Sequence, residues 1–166
     1  RLKDSIPKRP IMFVLFDAEE QGLKGSTYLA EKLKSEDINP YVVFNIEMIG
    51  VPMLDKPNQA YFTGYEKSNF VELFNQYSNE DALIFLPQAQ QYQLFKRSDN
   101  YPFYKSFDIP AHSVSTFDFT NYDYYHHVKD EAKLQDASHI NNLVKLWVEP
   151  LLNIANHKEK LIKLQD

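Results

Sequence analysis

The chain has 166 residues, the length of one ordinary domain and long enough to bury a core. Hydrophobic residues at 43% and charged residues at 25% exclude a disordered tail, a coiled coil and a collagen-like rod, and a net charge of −5 makes a poor general ligand for nucleic acid or anionic membrane. With no cysteine there is no disulfide scaffold, thiolate metal site or cysteine nucleophile, so any metal here rests on nitrogen and oxygen donors.

The basic opening Arg1–Arg9 runs into Pro10-Ile11-Met12-Phe13-Val14-Leu15-Phe16, a short unbroken apolar run that reads as a strand buried on both faces of a parallel sheet. An acidic loop, Asp17-Ala18-Glu19-Glu20-Gln21-Gly22, follows. Ser26 then reads as the N-cap of a helix over Thr27–Ser35. Tyr41–Ile46 is the second strong strand and also ends in an acidic residue, Glu47. Ala60–Thr63 and Ala82–Leu86 are weaker strands, and Asn69–Tyr77 is an amphipathic helix.

The glutamine-rich Gln88–Gln93 leads to Arg97-Ser98-Asp99-Asn100, and Pro102–Ser106 makes a helical turn. Ile109–Ser115 is a further strand, and Thr116–Asp130 a long aromatic loop. From Ser138 a helix with an apolar stripe is interrupted or kinked at Pro150. Alternating strands and helices predict an α/β three-layer sandwich with a mostly parallel, mixed sheet, in a single domain spanning residues 1–166. No apolar run approaches the roughly 18 residues of a membrane span, so no spanning helix is expected.

In open α/β sheets ligands collect beyond the carboxyl ends of the strands. Here those ends carry Glu19-Glu20, Glu47 and, after the last strand, His126-His127. Carboxylates and imidazole converging on one edge repel or protonate unless a cation gathers them, and zinc suits that donor set. Each motif alone also has a plain reading. Glu-Glu can be a solvated pair before a helix, the histidines can be loop residues, and Asp99 can be a turn residue or half of an ion pair with Arg97.

The motifs together discriminate. Phe13-Val14-Leu15-Phe16-Asp17-Ala18-Glu19-Glu20-Gln21-Gly22-Leu23-Lys24-Gly25-Ser26 resembles the Glu-Glu-x-Gly-Leu-x-Gly-Ser signature of the co-catalytic zinc aminopeptidases, a family that includes glutaminyl cyclases and transferrin receptor-like domains. Asn45-Ile46-Glu47-Met48-Ile49-Gly50, Ser98-Asp99-Asn100-Tyr101-Pro102-Phe103 and Tyr125-His126-His127-Val128-Lys129-Asp130 resemble its later signatures, in the right order. The resemblance implies a phosphorylase/hydrolase-like zinc exopeptidase fold. It makes Glu19 the general base, Glu20 and His126 ligands of one zinc, Glu47 a ligand of the other, and Asp99 a hydrogen-bonding group lining the site. Tyr125, with Phe117, Phe119, Tyr122 and Tyr124, either walls a substrate pocket or packs the loop onto the sheet.

Three departures accompany the resemblance. Glu47 replaces the usual aspartate, one methylene shorter, and Asn100 stands where histidine is common. The upstream His-x-Asp and Asp-Asn ligands have no counterpart, because the chain's histidines are His112, His126, His127, His139 and His157. By this resemblance Arg1–Ser5 is the tail of the helix before the Glu-Glu strand, and the chain is the family domain truncated at its N-terminus.

The function implied is a zinc-dependent aminopeptidase acting on peptide substrates, impaired in this truncated form. The complete domain holds two zinc ions, and one or none is expected here. The alternatives are a glutaminyl cyclase, which forms pyroglutamate by acyl transfer, and a non-catalytic peptidase-like binding domain. Secretion or a periplasmic location follows from the resemblance alone. Self-association through an exposed sheet edge is expected, because unpaired edges invite pairing.

Overall fold

Residues 6–165 are described by the structure, a computed structural model; the expected helix tail at Arg1–Ser5 lies outside the described residues. In chain order the elements are α1 (Lys24–Ser35), β1 (Val43–Ile46), β2 (Ala60–Phe62), α2 (Phe70–Ser78), β3 (Leu83–Ile84), α3 (Pro87–Gln91), α4 (Tyr101–Phe107), β4 (Ala111–Ser115) and α5 (Ala137–Asn156). The four strands form one sheet in the order β1-β4-β2-β3. β1 runs parallel to β4, pairing Val43 with Ala111 and Ile46 with Val114, and β2 runs parallel to β3. The β2–β4 pair is antiparallel, joining Tyr61 to Ser115 and Phe62 to Val114. The sheet is therefore mixed, with two of its three pairings parallel. Central β4 is buried at all five positions.

Strand alternation distributes the apolar side chains to two faces. Val43 and Ala111 meet Ala30 and Leu33 of α1 and Phe103 of α4. On the opposite face Phe62 and Val114 meet Phe70 and Phe74 of α2 and Leu143, Trp147 and Ile154 of α5. Phe44 sits at the centre of that second layer, stacked on Phe74 at 5.8 Å and on Phe70 at 5.7 Å, with Trp147 edge-on at 5.5 Å. Helices thus cover both faces of the sheet, which is the expected three-layer arrangement.

Several local expectations are corrected. Pro10–Phe16 forms no strand: Phe13 is 80% exposed and Leu15 100%, and only Phe16, at 5.9 Å from Phe103, packs on a helix. A strand needs a ladder, and the amides of Ile11–Leu15 meet no backbone acceptor among the described residues. Ser26 does not cap α1; it is buried inside the helix, and its hydroxyl donates back to the Leu23 carbonyl at 3.1 Å. The polar run after Leu86, for which the sequence predicts no element, forms a short helix begun by Pro87, since proline is favoured in the first helical turn.

Pro150 does not interrupt α5, which continues to Asn156. The proline forfeits one helical hydrogen bond, but its position lies on the buried stripe with Leu143, Trp147 and Ile154, whose packing holds the helix. The start of α5 is set by Asp136, whose carboxylate accepts from the amides of Ser138 and His139, each at 2.9 Å.

His112 on β4 is fully buried and stacks on Phe62 at 4.5 Å. Its Nδ1 contacts the Thr63 carbonyl at 2.9 Å; a carbonyl only accepts, so Nδ1 carries the proton and Nε2 accepts from the Ser68 hydroxyl at 2.8 Å. Burial pushes the imidazole down from 6.5 to about 4, against the favourable Thr63 carbonyl and with a small contribution from the Lys67 charge. The native state therefore holds His112 neutral where the unfolded chain would charge it. Its stabilisation is complete above pH 6.5 and is lost as pH falls towards 4, an effect on the order of 3 kcal/mol. Thermal midpoints measured from pH 7 to pH 4 should fall more steeply for the wild type than for His112→Gln; parallel curves would contradict the assignment.

Candidate functional site

Because β1 and β4 are parallel and adjacent, their carboxyl ends open on the same edge. The loops that leave them are stitched together: the Glu47 amide donates to the Val114 carbonyl at 3.1 Å, and the Thr116 amide to the Met48 carbonyl at 3.3 Å. Glu47 and the loop carrying Tyr125 and His126 are brought to one place by this pairing.

Glu19 and Glu20 reach the same edge on a single 3-10 turn, Glu19–Gln21. Gly22, at φ +90°, closes it by donating its amide to the Glu19 carbonyl, a conformation that suits a residue without Cβ. Gly25 lets the start of α1 lie against the segment before the turn: a Cβ there would stand 2.5 Å from the Asp17 carbonyl oxygen. Three of the ten non-glycine residues with left-handed backbone among the described residues lie at these turns, namely Ala18 (φ 52°) before Glu19, Met48 (φ 47°) after Glu47, and His126 (φ 55°) itself. Such conformations cost of order 1–3 kcal/mol each.

Glu20 Oε1 lies 2.8 Å from His126 Nε2, and both side chains are solvent-accessible. Tyr125 stacks on the imidazole at 4.0 Å between ring centres. Behind them Glu47 is held by the Ser98 hydroxyl, which donates to Oε2 at 2.6 Å. Asp99 is 7% exposed, and its Oδ1 has no hydrogen-bond partner.

The carboxylates feel one another. Burial, then the charges of Glu20 and Asp99, hold Glu19 above its ordinary value, against the opposing influence of His126 and Arg97. Burial pushes Glu47 up to about 7, eased by the Ser98 hydrogen bond and aggravated by Glu19, Asp99 and Glu20. Burial also raises Asp99, against the neighbouring Ser26 hydroxyl. Tyr125 is raised by burial and then by the charge of Glu20.

Four carboxylates, one with an orphaned buried oxygen, beside an imidazole are the nitrogen and oxygen donors that zinc takes. The donor chemistry fits, with Glu20 and His126 touching and Glu47 set behind. Among the described residues no three His, Asp or Glu side chains close into a ligand group, so the set is short of the three protein donors of a catalytic zinc.

The remaining motif residues have structural work. His127 Nδ1 accepts from the Lys129 amide, a turn contact. Asp130 accepts from Tyr122 and from Gln135, tying the two ends of the aromatic loop. Phe117 is buried and packs, tilted, against Tyr125 at 4.7 Å, so part of the loop packs its own rings. Between this loop and the one after Glu47 lies a cavity of about 290 Å³ lined by Met48, Gly50, Val51, Phe117, Tyr122 and Gln135.

Asn100, at the position where the resemblance has histidine, is fully buried and holds the Phe95 and Ala111 carbonyls. Ser113, which lies in no motif, and Asn45, which opens the Asn45–Gly50 motif without an assigned role, connect it to Ser98. Strand alternation could have placed Asn45 and Ser113 on the buried faces of their strands, but not as neighbours of each other.

The same architecture occurs in two solved structures from Legionella pneumophila. The LapA aminopeptidase is 23% identical, with a TM-score of 0.71 over 93% of this chain. LapB is 18% identical, with a TM-score of 0.71 over 93% of this chain. The chain spans 42% of the length of each of those chains, and the likeness is one of fold. The sequence pattern described as Peptidase family M28 matches residues 1–150, which take in the Glu19-Glu20 turn, Glu47, the Ser98-Asp99-Asn100 segment and His126, and the chain belongs to that family.

Proposed function

We propose that this chain carries the proton-transfer base and part of the metal-binding set of a zinc-dependent aminopeptidase. The observation that supports this reading is the Glu20–His126 pair, 2.8 Å apart, beside a Glu19 carboxyl held above its ordinary value. Glu20 and His126 would hold one ion and Glu47 the other. A metal held there would supply an acidified water and a polarised scissile carbonyl.

Glu19 takes the proton from the attacking water and returns it to the leaving amine. Its raised affinity for protons suits both halves of that transfer, since a base works best with a pKa near the working pH. Tyr125 fixes the plane of His126 by stacking on it. Asp99, with an unpartnered oxygen, accepts a hydrogen bond from substrate or water at the edge of the site.

The test is hydrolysis of an amino-acyl anilide by the zinc-loaded protein that contains this chain. Chelator-sensitive release of the aniline, with an N-acetylated analogue left intact, is expected. Equal cleavage of the blocked analogue would overturn the aminopeptidase reading. Conversion of an N-terminal glutaminyl peptide to pyroglutamate in place of hydrolysis would replace it with the cyclase. With Glu20 and His126 as the only donors in contact among the described residues, zinc binding is expected to be weak.

A further inference from the structure

The hydrogen bonds behind Glu47 have only one consistent direction, which can be read from their far end. Asn100 places one amide atom 3.1 Å from the Phe95 carbonyl and 3.0 Å from the Ala111 carbonyl. Two carbonyls can only accept, so that atom is the nitrogen and both of its protons are used. Asn100 Oδ1 is then an acceptor, and the Ser113 hydroxyl spends its single proton on it at 2.9 Å. Ser113 Oγ must accept from its other neighbour, Asn45 Nδ2, at 2.9 Å. The second proton of Asn45 Nδ2 goes to Ser98 Oγ at 2.8 Å, which leaves the Ser98 proton one destination, Glu47 Oε2 at 2.6 Å. Ser98, Asn100 and Ser113 are at most 1% exposed, so water does not compete for these bonds.

We infer that Ser98 is the positioning residue of Glu47: a directed chain anchored on two backbone carbonyls locks its hydroxyl proton onto Oε2 and leaves Oε1 as the free metal donor. The inference rests on the reading of Glu47 as a metal donor given above. A glutamate has one more rotatable bond to immobilise than the aspartate that the family resemblance implies at this position, so the restraint contributes more here than it would for the shorter side chain. Asn100 takes the far end of the chain because an amide can donate twice and accept on its other atom, which a histidine ring cannot do in this geometry.

The experiment compares wild type, Glu47→Gln, Ser98→Ala and Ser113→Ala in the zinc-loaded protein that contains this chain. It measures zinc affinity by chelator competition, kcat and KM separately, and the thermal midpoint. Ser98→Ala is expected to weaken zinc binding by about 10–100-fold, the usual effect of removing a group that orients a ligand. It should lower kcat with KM little changed. Ser113→Ala, which leaves the Ser98 hydroxyl present but undirected, is expected to shift zinc affinity in the same direction by less, and it carries the test if Ser98→Ala fails to fold.

Zinc affinity unchanged in both serine variants, with only the thermal midpoint lowered, would show a packing role and overturn the inference. Zinc affinity unchanged in Glu47→Gln would instead remove Glu47 from the metal site, and the inference would fall with that reading.

Discussion

Replacing Glu19 by glutamine is expected to lower kcat for an amino-acyl anilide by about 10²–10⁴-fold, the usual contribution of a positioned acid–base group. Glutamine keeps the shape of the side chain and the 3-10 turn that presents it, but has no lone pair basic enough to accept the water proton. KM and zinc content should change little, because Glu19 is not the carboxylate that touches His126; that is Glu20. The variant should also be slightly more stable than the wild type, since the Glu19 charge raises the cost of ionising Glu47.

Glu20→Gln separates the two roles of the adjacent pair. It removes the partner of His126 and should lower zinc affinity as well as turnover. A Glu19→Gln variant that retained a tenth of wild-type kcat, or that lost its zinc, would contradict the division of labour proposed for the two glutamates.

The second large effect is on stability. Trp147 is 2% exposed and forms the edge-on wall of the aromatic layer around Phe44. Trp147→Ala should destabilise the fold by about 3–5 kcal/mol, the transfer of the ring plus the cavity it leaves. Against a total stability of about 5–15 kcal/mol, that approaches unfolding.

Trp147→Phe should cost distinctly less. The indole Nε1 is buried without a hydrogen-bond partner, and an unsatisfied buried donor costs about 1–3 kcal/mol, which disappears with the indole. Urea unfolding midpoints at constant slope measure both variants. A phenylalanine variant as unstable as the alanine variant would show that Nε1 is satisfied in solution.

The strongly patterned helices and strands were legible in the sequence because their apolar spacing is a local property. Asn69–Tyr77 was expected as a helix and α2 occupies Phe70–Ser78; Tyr41–Ile46 was expected as a strand and β1 occupies Val43–Ile46. Pro10–Phe16 misled for a physical reason. Composition reports what a segment would bury, whereas a strand exists only where neighbouring backbones complete its ladder, and here Leu15 is fully exposed.

Ser26 misled in a different way. It is a favoured capping residue three positions inside the helix, and the left-handed Leu23 sets the helix start. Pro150 removes one helical bond, a local cost that the buried stripe of α5 outweighs.

The sequence by itself determined the chemistry on offer: no thiolates, a Glu-Glu pair after an apolar run, Glu47 after another, and His126 four residues before Asp130. Residue types and motif order are one-dimensional properties, and they sufficed for the family and the layered α/β architecture. Only the tertiary structure decided that Asp99 keeps an unpartnered oxygen and that Asn100, Ser113, Asn45 and Ser98 form one directed chain to Glu47. Residues far apart in the chain meet because the parallel pairing of β1 with β4 brings Glu47 and the loop carrying His126 to a single edge, which Glu20, 106 positions before His126, reaches from the turn ahead of α1.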